Sequence, residues 1–308
     1  MKKVFIDGSA GTTGLRIAVR LARRQDIQLI TVPEVFRKDP AARKGAMNQA
    51  DIVFLCLPDD AAREAVPLIE NESTAVIDTS TAHRVQEGWV YGFPEIGGLR
   101  EIIQASRRIA NPGCHASGFI ALAAPLVQAG LLLQSAKLSC TSLTGYSGGG
   151  KKMIAEYEAE NRSELLSAPR QYGVSQTHKH LPEMQKICGL DTAPIFCPIV
   201  APYYAGMEVT VPLFAGEIQG SKADIEAVYA DYYKTGLVRF AKDSGEGGFL
   251  SANALAGRDD MEISVFGNEE RILLTARFDN LGKGASGAAI QNMNLLMGID
   301  ETTGLVME

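Results

Sequence analysis

Short apolar runs alternate with amphipathic stretches in the first part of the chain. Each run has the length of a strand buried in a parallel sheet, and the stretches between the runs repeat their apolar positions with helical spacing. This alternation predicts an α/β unit with a doubly wound parallel sheet. The predicted strands are residues 3–7, 27–32, 52–57 and 75–78, and the predicted helices are residues 15–21 and 60–69.

The second half of the chain carries more strand patterns than helical ones. Residues 137–144 alternate apolar and polar side chains, and residues 196–213 are typical of two strands of a mixed sheet joined by a loop. Residues 262–267 and 271–278 predict a hairpin. These patterns predict an α+β unit whose mixed sheet forms the substrate wall. Further predicted helices cover residues 183–188 and 225–233, and a glycine-rich turn from residue 279 leads into a last helix of small residues.

Composition places the chain among ordinary globular proteins. Its 308 residues are 46% hydrophobic and 21% charged, which allows a sizeable core and favours two domains. The net charge of −6 and the pI near 5.4 argue against a nucleic-acid or polybasic membrane partner. No apolar run approaches the ~20 residues that cross a bilayer. The N-terminus shows no signal-peptide pattern, so we expect a cytoplasmic protein.

A glycine-rich segment follows the first predicted strand and opens the first predicted helix. Its spacing, G-x-x-G-x-x-G over residues 8–14, lets the backbone approach a pyrophosphate at the helix N-terminus. This order predicts a Rossmann-type dinucleotide site, although a glycine turn without a ligand has the same composition. Arg37 and Lys38 follow the second predicted strand, where two cations suit a ribose 2′-phosphate. We therefore favour NADP over NAD, with an Arg-Lys pair in solvent as the alternative.

The carboxyl ends of the strands and the glycine-rich tail complete the predicted cofactor site, because ligands of doubly wound sheets gather at strand ends. The small residues of the tail allow close backbone approach, either to the nicotinamide or within a packed core. The predicted cofactor-binding residues are Gly8, Ser9, Ala10, Gly11, Thr12, Thr13, Gly14, Arg37, Lys38, Pro58, Ser80, Asn280, Lys283 and Gly284.

One cysteine of five differs from the others in its setting. Cys114 follows an Asn-Pro-Gly turn and opens a long apolar run with the composition of a buried helix. Unpaired N–H groups and the macrodipole at a helix N-terminus favour a thiolate, so Cys114 is the predicted nucleophile. The alternative is a small core residue, as the apolar surroundings of the other four cysteines indicate for them. The cysteines show no zinc-ligand spacing, and we expect no metal.

A cysteine nucleophile needs a partner that holds or moves a proton. His178 and His180 are the candidates, and on an extended segment they would point to opposite faces, so we expect only one to reach the active centre. We favour His180, which adjoins a predicted helix start. A third metal ligand is absent at helical or hairpin spacing, so a zinc site is not favoured.

Polar residues on the predicted loops form the expected substrate site. Arg84 follows a strand end, where a fixed cation would bind a carboxylate, while nearby His83 is interpreted as a packing or hydrogen-bonding residue. A Ser-Gly-Gly-Gly-Lys-Lys segment at 147–152 would form an anion nest, with a flexible loop and solvated lysines as the alternative. The predicted substrate-binding residues are Arg84, Asn111, Ser147, Gly148 and Lys151.

These segments in combination resemble the N-acetyl-γ-glutamyl-phosphate reductase family in its shorter form, within the aspartate-semialdehyde dehydrogenase superfamily. The Asn-Pro-Gly-Cys turn together with His-Lys-His-Leu-Pro-Glu is the specific part of the resemblance. Longer members tend to carry an aromatic residue after the cysteine and an arginine at the end of the glycine loop, where this chain has His115 and Lys151. The matching segments are residues 8–14, 78–84, 91–95, 111–114, 178–183 and 279–294.

The resemblance implies a fold and an activity. Residues 1–113 and 284–308 would form an NADP-binding domain to which the C-terminal helix returns, and residues 114–283 a catalytic, substrate and oligomerisation domain. Cys114 would be the nucleophile, and the pair His178 and His180 would hold the acid–base. The implied reaction is the NADPH-dependent reduction of N-acetyl-γ-glutamyl phosphate to N-acetylglutamate semialdehyde, a step of arginine biosynthesis, through a Cys114 thioester. Inorganic phosphate would be the second small-molecule partner, and the protein a homo-oligomer, either a dimer or a tetramer.

Other functions keep the same residues in different roles. A relative acting on aspartyl or aminoadipyl phosphate would use the same thiol chemistry on another acyl phosphate. A thiol hydrolase would use the Cys–His pair without a nucleotide, against which the N-terminal glycine loop argues. A nucleotide-binding regulator without turnover would leave the reactive setting of Cys114 unexplained.

Overall fold

The chain, seen here in a computed structural model that describes residues 1–234 and 236–307, divides into two units. The first unit comprises Met1–Pro94, Gly98–Pro112 and Ala285–Leu305. The second comprises Glu95–Gly97, Gly113–Gly284 and residues 306–307.

Strands and helices alternate in the first part of the chain and strands dominate the second part. The strands are β1 (Lys2–Asp7), β2 (Ile27–Ile30), β3 (Ile52–Leu55), β4 (Ala75–Asp78), β5 (Val90–Tyr91), β6 (Arg108–Ala110), β7 (Ser139–Gly145), β8 (Arg170–Gln171), β9 (Ile195–Ala201), β10 (Met207–Phe214), β11 (Val238–Phe240), β12 (Met261–Gly267) and β13 (Arg271–Phe278). The helices are α1 (Thr12–Leu21), α2 (Pro40–Gln49), α3 (Asp59–Ala65), α4 (Leu99–Ala105), α5 (Cys114–Gln128), α6 (Gly150–Glu158), α7 (Leu181–Cys188), α8 (Lys222–Tyr232) and α9 (Gly287–Met297).

The first unit is built on a parallel sheet with the strand order β2-β1-β3-β4-β6-β5. Successive side chains of a strand point to opposite faces, so each strand contributes to two cores. Ile52 and Phe54 of β3 pack with α1, α4 and α9, whereas Val53 and Leu55 pack with α2 and α3. The predicted doubly wound sheet is confirmed, and the last helix, α9, belongs to this unit.

One predicted helix of this unit is shorter than its apolar pattern indicates. The pattern covers residues 60–69, but α3 ends at Ala65 and a 3₁₀ turn, Val66–Leu68, follows. Pro67 explains the difference, because proline has no N–H for the helical ladder and its ring clashes with the preceding turn.

The second unit is built on a mixed sheet, as predicted, and its strand order is β11-β12-β13-β10-β7-β9-β8. The predicted hairpin is confirmed: β12 and β13 are antiparallel, with Gly267 opposite Ile272. Asn268 stabilises the turn by accepting hydrogen bonds from the N–H groups of Glu270 and Arg271 at 3.0 and 2.9 Å. Gly267 has φ +97°, and a Cβ there would lie 2.1 Å from the Arg271 carbonyl oxygen, so only glycine fits.

Helix α5 packs closely on the mixed sheet because it presents a glycine to a strand. A Cβ at Gly118 would lie 2.5 Å from Val209 Cγ2 of β10, so the helix and the strand approach each other where a larger residue would not fit. Residues from His115 to Leu126 of this helix are buried, which fixes the start of α5 in the second unit. Within the described residues, no helix has both the length and the apolar character needed to cross a lipid bilayer.

Candidate active site

Cys114 is the first residue of α5, as the Pro-Gly turn predicts. Gly113 is the N-cap, and its N–H donates to Glu183 Oε2 at 3.1 Å. Ser117 returns to the same turn, since its N–H and its hydroxyl both donate to the Gly113 carbonyl at 2.8 and 3.0 Å. The thiol is partly exposed and lies where the N–H groups of the first turn and the helix dipole favour a negative charge.

The other cysteines lie in settings that do not favour a thiolate. Burial raises the pKa of the Cys56 thiol to about 12 and raises the pKa values of Cys140 and Cys188 as well. Cys197 is partly exposed but lies within β9, where no helix N-terminus is available. Among the described residues no group of three or more His, Cys, Asp and Glu side chains could hold a metal ion.

Both candidate histidines lie close together, and the expected extended segment, which would point them to opposite faces, is wrong. The His180 N–H donates to His178 Nδ1 at 3.2 Å, and their ring centroids are 4.7 Å apart. The segment is a turn rather than a strand, with His180 in the αR region as the N-cap of α7, and the alternation of an extended chain does not apply. Pro182 stands in the first turn of α7, as predicted, and His180 Nε2 lies 3.9 Å from Glu183 Oε1.

A third histidine, missed as a site residue from the sequence, lies between these two and a tyrosine. His115 is buried, and its ring centroid lies 5.9 Å from that of His178 and 5.7 Å from that of His180. Its Nδ1 lies 2.6 Å from Ser142 Oγ and its Nε2 lies 2.7 Å from the Tyr172 hydroxyl. Burial, with a contribution from His178, lowers the pKa of His115 to about 3, so the ring is neutral.

The turn before α9 contributes a buried ion pair and a glycine that adjoins Cys114. Lys283 Nζ lies 2.8 Å from both carboxylate oxygens of Glu95, and both side chains are almost fully buried. Gly284 adjoins Cys114, because a Cβ at Gly284 would lie 3.0 Å from Cys114 Cβ. Asn280 accepts from the Gly206 N–H and donates to Ser147 Oγ, each at 2.9 Å. These three predicted cofactor residues, Asn280, Lys283 and Gly284, thus lie in the second unit with the thiol.

The predicted anion nest has a different local structure from the flexible loop that its composition allows. Tyr146–Gly149 is a short 3₁₀ turn that leads directly into α6. Gly150 has φ +73°, a left-handed conformation that glycine adopts without strain and that turns the chain into the helix. Ser147 is buried against Asn280, whereas Gly148 and Lys151 are exposed, with Lys151 in the first turn of α6.

In the first unit, a cavity of about 580 Å³ lies beside the glycine segment. Gly8 has φ +86°, and a Cβ there would lie 2.2 Å from the Cys56 carbonyl oxygen, so the loop can run against β3 only with glycine. Gly14 of α1 is equally constrained, since its Cβ would lie 2.5 Å from the Gly8 carbonyl oxygen. Of the predicted residues, the cavity is lined by Gly8, Ser9, Ala10, Gly11, Arg37, Lys38 and Pro58.

The remaining predicted cofactor residues of this unit lie in neighbouring turns. Thr12, Thr13 and Gly14 form the first turn of α1, and Ser80 follows β4, where its hydroxyl donates to Asp78 Oδ2 at 2.8 Å. The sequence interpretation missed Arg43, which lines the cavity and forms an ion pair of 2.7 Å with Asp7 at the end of β1. Apolar walls, a helix N-terminus and three cations suit a dinucleotide, so the residues present fit such a cofactor.

Two predicted substrate residues of the first unit already donate hydrogen bonds to backbone carbonyls. Arg84 is buried, and its Nε and Nη2 donate to the carbonyls of Asn111 and Thr79 at 2.9 and 3.3 Å. Asn111 Nδ2 donates to the Ala285 carbonyl at 3.0 Å. His83 packs on the Trp89 ring at 4.0 Å, and its Nδ1 lies 2.6 Å from Asp78 Oδ2, in line with its interpretation as a packing and hydrogen-bonding residue.

Comparison with known proteins identifies the family. Residues 34–105 match the family model described as the semialdehyde dehydrogenase NAD binding domain, and residues 114–280 match the one described as the semialdehyde dehydrogenase dimerisation domain. N-acetyl-gamma-glutamyl-phosphate reductases of Brucella ovis and Brucella canis are each 47% identical to this chain over 306 residues, which cover 96% of this chain and 99% of theirs.

Solved structures of aspartate semialdehyde dehydrogenases share the fold. The protein from Francisella tularensis has a TM-score of 0.72 at 14% identity, with 96% of this chain and 100% of that chain covered. Aspartate semialdehyde dehydrogenase II from Vibrio cholerae, complexed with ASA, has a TM-score of 0.71 at 16% identity, with 97% and 98% covered. The matches confirm the resemblance seen in the sequence, and the chain belongs to the N-acetyl-gamma-glutamyl-phosphate reductase family.

Proposed function

We propose that this chain catalyses the NADPH-dependent reduction of N-acetyl-γ-glutamyl phosphate to N-acetylglutamate semialdehyde. The observation that carries the proposal is the partly exposed Cys114 at the start of α5, in the same unit as the adjoining His178 and His180. The family membership indicates which substrate to expect, and the cavity beside the glycine segment has space for a nicotinamide cofactor. A hydrolase would require neither the cavity nor the glycine constraints at Gly8 and Gly14.

The residues of the second unit have distinct roles in the proposed reaction. The Cys114 thiolate attacks the acyl carbon, the bond to phosphate breaks, and a thioester forms on the sulfur. The bound cofactor supplies the hydride for reduction of this thioester, after which the carbon–sulfur bond breaks and the thiolate is restored. Backbone N–H groups at the start of α5 stabilise the negative charge that develops on the acyl oxygen. His180 acts as the acid–base that holds or moves the proton of this reaction, with His178 beside it. Glu183 Oε1 lies 3.9 Å from His180 Nε2 and stabilises the imidazolium form of His180.

The substrate contacts are part of the same proposal. Lys151 and Gly148 are exposed at the start of α6, where an ammonium and backbone N–H groups suit the phosphate, and Ser147 positions this turn. Arg84 and Asn111 are proposed for the carboxylate end of the substrate. Two of the guanidinium nitrogens of Arg84 already donate to carbonyls, so its contribution would come from its positive charge.

The test of the function is run in the oxidative direction. With phosphate present, N-acetylglutamate semialdehyde is expected to drive the reduction of NADP, and aspartate semialdehyde is expected to do so far more slowly. The readout is nicotinamide absorbance with each aldehyde, with and without phosphate. A faster reaction with aspartate semialdehyde would overturn the proposed substrate, and a reaction independent of phosphate would overturn the acyl-phosphate chemistry.

We also propose NADP rather than NAD as the preferred cofactor. Arg37 and Lys38 line the cavity beyond β2, and Arg43 adds a third cation there. The double variant Arg37→Ala/Lys38→Ala is expected to raise the KM for NADPH by about 100-fold, because each of the two charged hydrogen bonds to a phosphate is worth roughly a factor of ten. The KM for NADH, which lacks the 2′-phosphate, is expected to stay nearly unchanged. Steady-state kinetics with both nucleotides measure the change.

The matched control for the cofactor is an exposed arginine of the same unit. Arg107→Ala removes a cation that lies outside the residues lining the cavity and is expected to leave both KM values unchanged. An equal rise for NADPH and NADH in the double variant would count against the 2′-phosphate site.

A homo-oligomer completes the proposal. Ile195, Phe214 and Leu273, on strands of the mixed sheet, are 63%, 63% and 41% exposed. Exposed apolar residues on one sheet mark an interaction surface, and the matching family model is described as a dimerisation domain. Sedimentation of a monomer at micromolar concentration would contradict this part.

A further inference from the structure

A buried carboxylate at the end of β4 holds the turn that leads to Arg84. Asp78 is fully buried, and its Oδ1 accepts from the Ser80 N–H at 2.9 Å. Its Oδ2 accepts from the Ser80 hydroxyl at 2.8 Å and lies 2.6 Å from His83 Nδ1. An ionised carboxylate only accepts hydrogen bonds, so His83 Nδ1 carries a proton and donates it to Asp78. Among the described residues no lysine or arginine pairs with Asp78, so the serine and the histidine supply its donors.

The imidazole of His83 is also fixed by a stacked tryptophan. The ring centroids of His83 and Trp89 are 4.0 Å apart, and the ring planes are within 13° of parallel. Trp89 packs in turn against the core that contains Val76 and Ala82. His83 is only 4% exposed, so water does not compete for its hydrogen bond to Asp78. The histidine therefore ties the end of the turn back to the end of β4.

The next residue, Arg84, makes contacts that depend on the position of this turn. Its Nε donates to the Asn111 carbonyl at 2.9 Å, and its Nη2 donates to the Thr79 carbonyl at 3.3 Å. Thr79 begins the turn, and Asn111 follows β6 and donates its own N–H to the Asp78 carbonyl at 2.7 Å. The guanidinium thus bridges the carboxyl ends of β4 and β6. A shift of the backbone just before Arg84 would move its charge away from this place.

The earlier part of the turn is held by contacts that do not involve His83. The Ala82 N–H donates to Ser80 Oγ at 3.1 Å, and Ser80 makes two hydrogen bonds of its own to Asp78. The His83 side chain is the contact that lies next to Arg84 in the chain. Loss of this one contact would release the Arg84 end of the turn and leave Ser80 in its place.

We propose that His83 is a positioning residue for substrate binding, because its hydrogen bond to Asp78 holds the turn that places the Arg84 guanidinium. The imidazole takes no part as an acid or a base, which distinguishes it from the proposed role of His180. The proposal rests on the proposed function in one respect, the binding of the substrate carboxylate by Arg84. N-acetylglutamate semialdehyde and aspartate semialdehyde both carry an α-carboxylate, so the proposal applies to either aldehyde.

Two substitutions separate the hydrogen bond of His83 from its ring contact. His83→Phe keeps an aromatic ring beside Trp89 and removes the donor to Asp78. His83→Asn removes the ring and keeps a donor, because the amide nitrogen of asparagine is as many bonds from the backbone as Nδ1 of histidine. His83→Asn is therefore expected to resemble the unchanged protein, and His83→Phe is expected to differ from it.

Steady-state kinetics in the oxidative direction, with each of the two aldehydes, test the effect on the substrate. His83→Phe is expected to raise the KM for the aldehyde about tenfold, since the loss of a charged hydrogen bond to a carboxylate costs roughly this factor. The KM for NADP and kcat are expected to stay within about twofold, because Ser80 retains its hydrogen bonds to Asp78. His83→Asn is expected to restore most of the KM for the aldehyde.

Amide hydrogen exchange of the full-length protein tests the position of the turn without turnover. The Gln86 N–H donates to the His83 carbonyl at 3.2 Å, so its exchange reports on the backbone at this residue. His83→Phe is expected to speed this exchange about tenfold, as the loss of a hydrogen bond to a charged group predicts. His83→Asn is expected to leave the rate nearly unchanged. Mass spectrometry of the peptide that contains Gln86 measures the rate.

The matched control is Asn48→Ala, in the same unit. It removes a side chain that donates to the Leu68 carbonyl at 2.7 Å and accepts from the Glu70 N–H at 2.8 Å. This variant is expected to lower the melting temperature and to leave both KM values and the exchange of the Gln86 amide unchanged. The control thereby separates a general loss of stability from a displaced turn.

The outcomes that overturn the proposal are specific to His83. They are an unchanged KM for the aldehyde in His83→Phe, an equal rise in the KM for NADP, or a His83→Asn variant as impaired as His83→Phe. If His83→Phe does not fold, His83→Gln replaces it, because its amide nitrogen lies one bond further from the backbone. If the unchanged protein turned over neither aldehyde, the proposed function would fail, and an unchanged exchange rate in His83→Phe would separately overturn the role of His83.

Discussion

Replacing Cys114 with serine is expected to lower the turnover of the semialdehyde by at least about 1,000-fold, since removal of a covalent nucleophile costs several orders of magnitude. The serine hydroxyl has the same place at the start of α5, but it is a far weaker nucleophile near neutral pH. The affinity for NADPH is expected to be unchanged, because the glycine segment and its cavity belong to the first unit. Steady-state kinetics and fluorescence titration of NADPH measure the two quantities.

Cys197→Ser provides the matched control for this substitution. Cys197 is also partly exposed and lies in the second unit, but on β9 rather than at a helix N-terminus. Its turnover is expected to stay within about twofold of the unchanged protein, as for a substitution outside the site. If Cys114→Ser retained substantial turnover, or if Cys197→Ser abolished it, the thioester mechanism on Cys114 would be wrong.

The fold follows from local patterns because each pattern depends on neighbours in the sequence. The four apolar residues of β3 are buried on both faces, which is typical of a strand inside a parallel sheet that is covered on both sides. The start of α5 at Cys114 follows equally from a turn of three residues. The end of α3 departs from its pattern for the same local reason, since Pro67 overrides the periodic apolar positions around it.

The parts of the site that the sequence did not reveal depend on contacts between distant residues. His115 and Tyr172 are separated by 57 positions, and Lys283 and Glu95 by 188. A local pattern carries no information about such pairs, so the sequence predicts a cofactor contact for Lys283 but not its ion pair with Glu95. The sequence interpretation missed Arg43 for the same reason. Its position in the cavity depends on its ion pair with Asp7, the last residue of β1.

Residues 147–151 show how composition misleads even at short range. Three successive glycines indicate a loop, yet the residues after them, from Lys151 to Glu158, are mostly good helix formers, and α6 begins at the last glycine. Gly150 allows the abrupt entry into the helix through its positive φ. The glycines therefore permit a turn of defined shape, which is a better basis for an anion site than a mobile loop.

Replacing Lys283 with methionine is expected to lower the free energy of unfolding of the second unit by about 3 to 5 kcal/mol. The substitution leaves the buried Glu95 carboxylate without the ammonium that lies 2.8 Å from both of its oxygens. Both side chains are 1–2% exposed, so water does not replace the lost partner. Urea unfolding of the full-length protein, followed by the intrinsic fluorescence of tyrosines and by circular dichroism, measures the change.

The double variant Lys283→Met/Glu95→Gln separates the contribution of the ion pair to stability from the contribution of the surrounding packing. Removing both charges eliminates the uncompensated carboxylate, so the double variant is expected to recover a large part of the lost stability. Lys44→Met breaks the exposed pair with Glu70 and is expected to cost about 1 kcal/mol or less. A double variant as unstable as Lys283→Met would show that the lysine acts through packing of its chain and not through its charge. In that case the turn that holds Gly284 against Cys114 would depend on the shape of the Lys283 side chain.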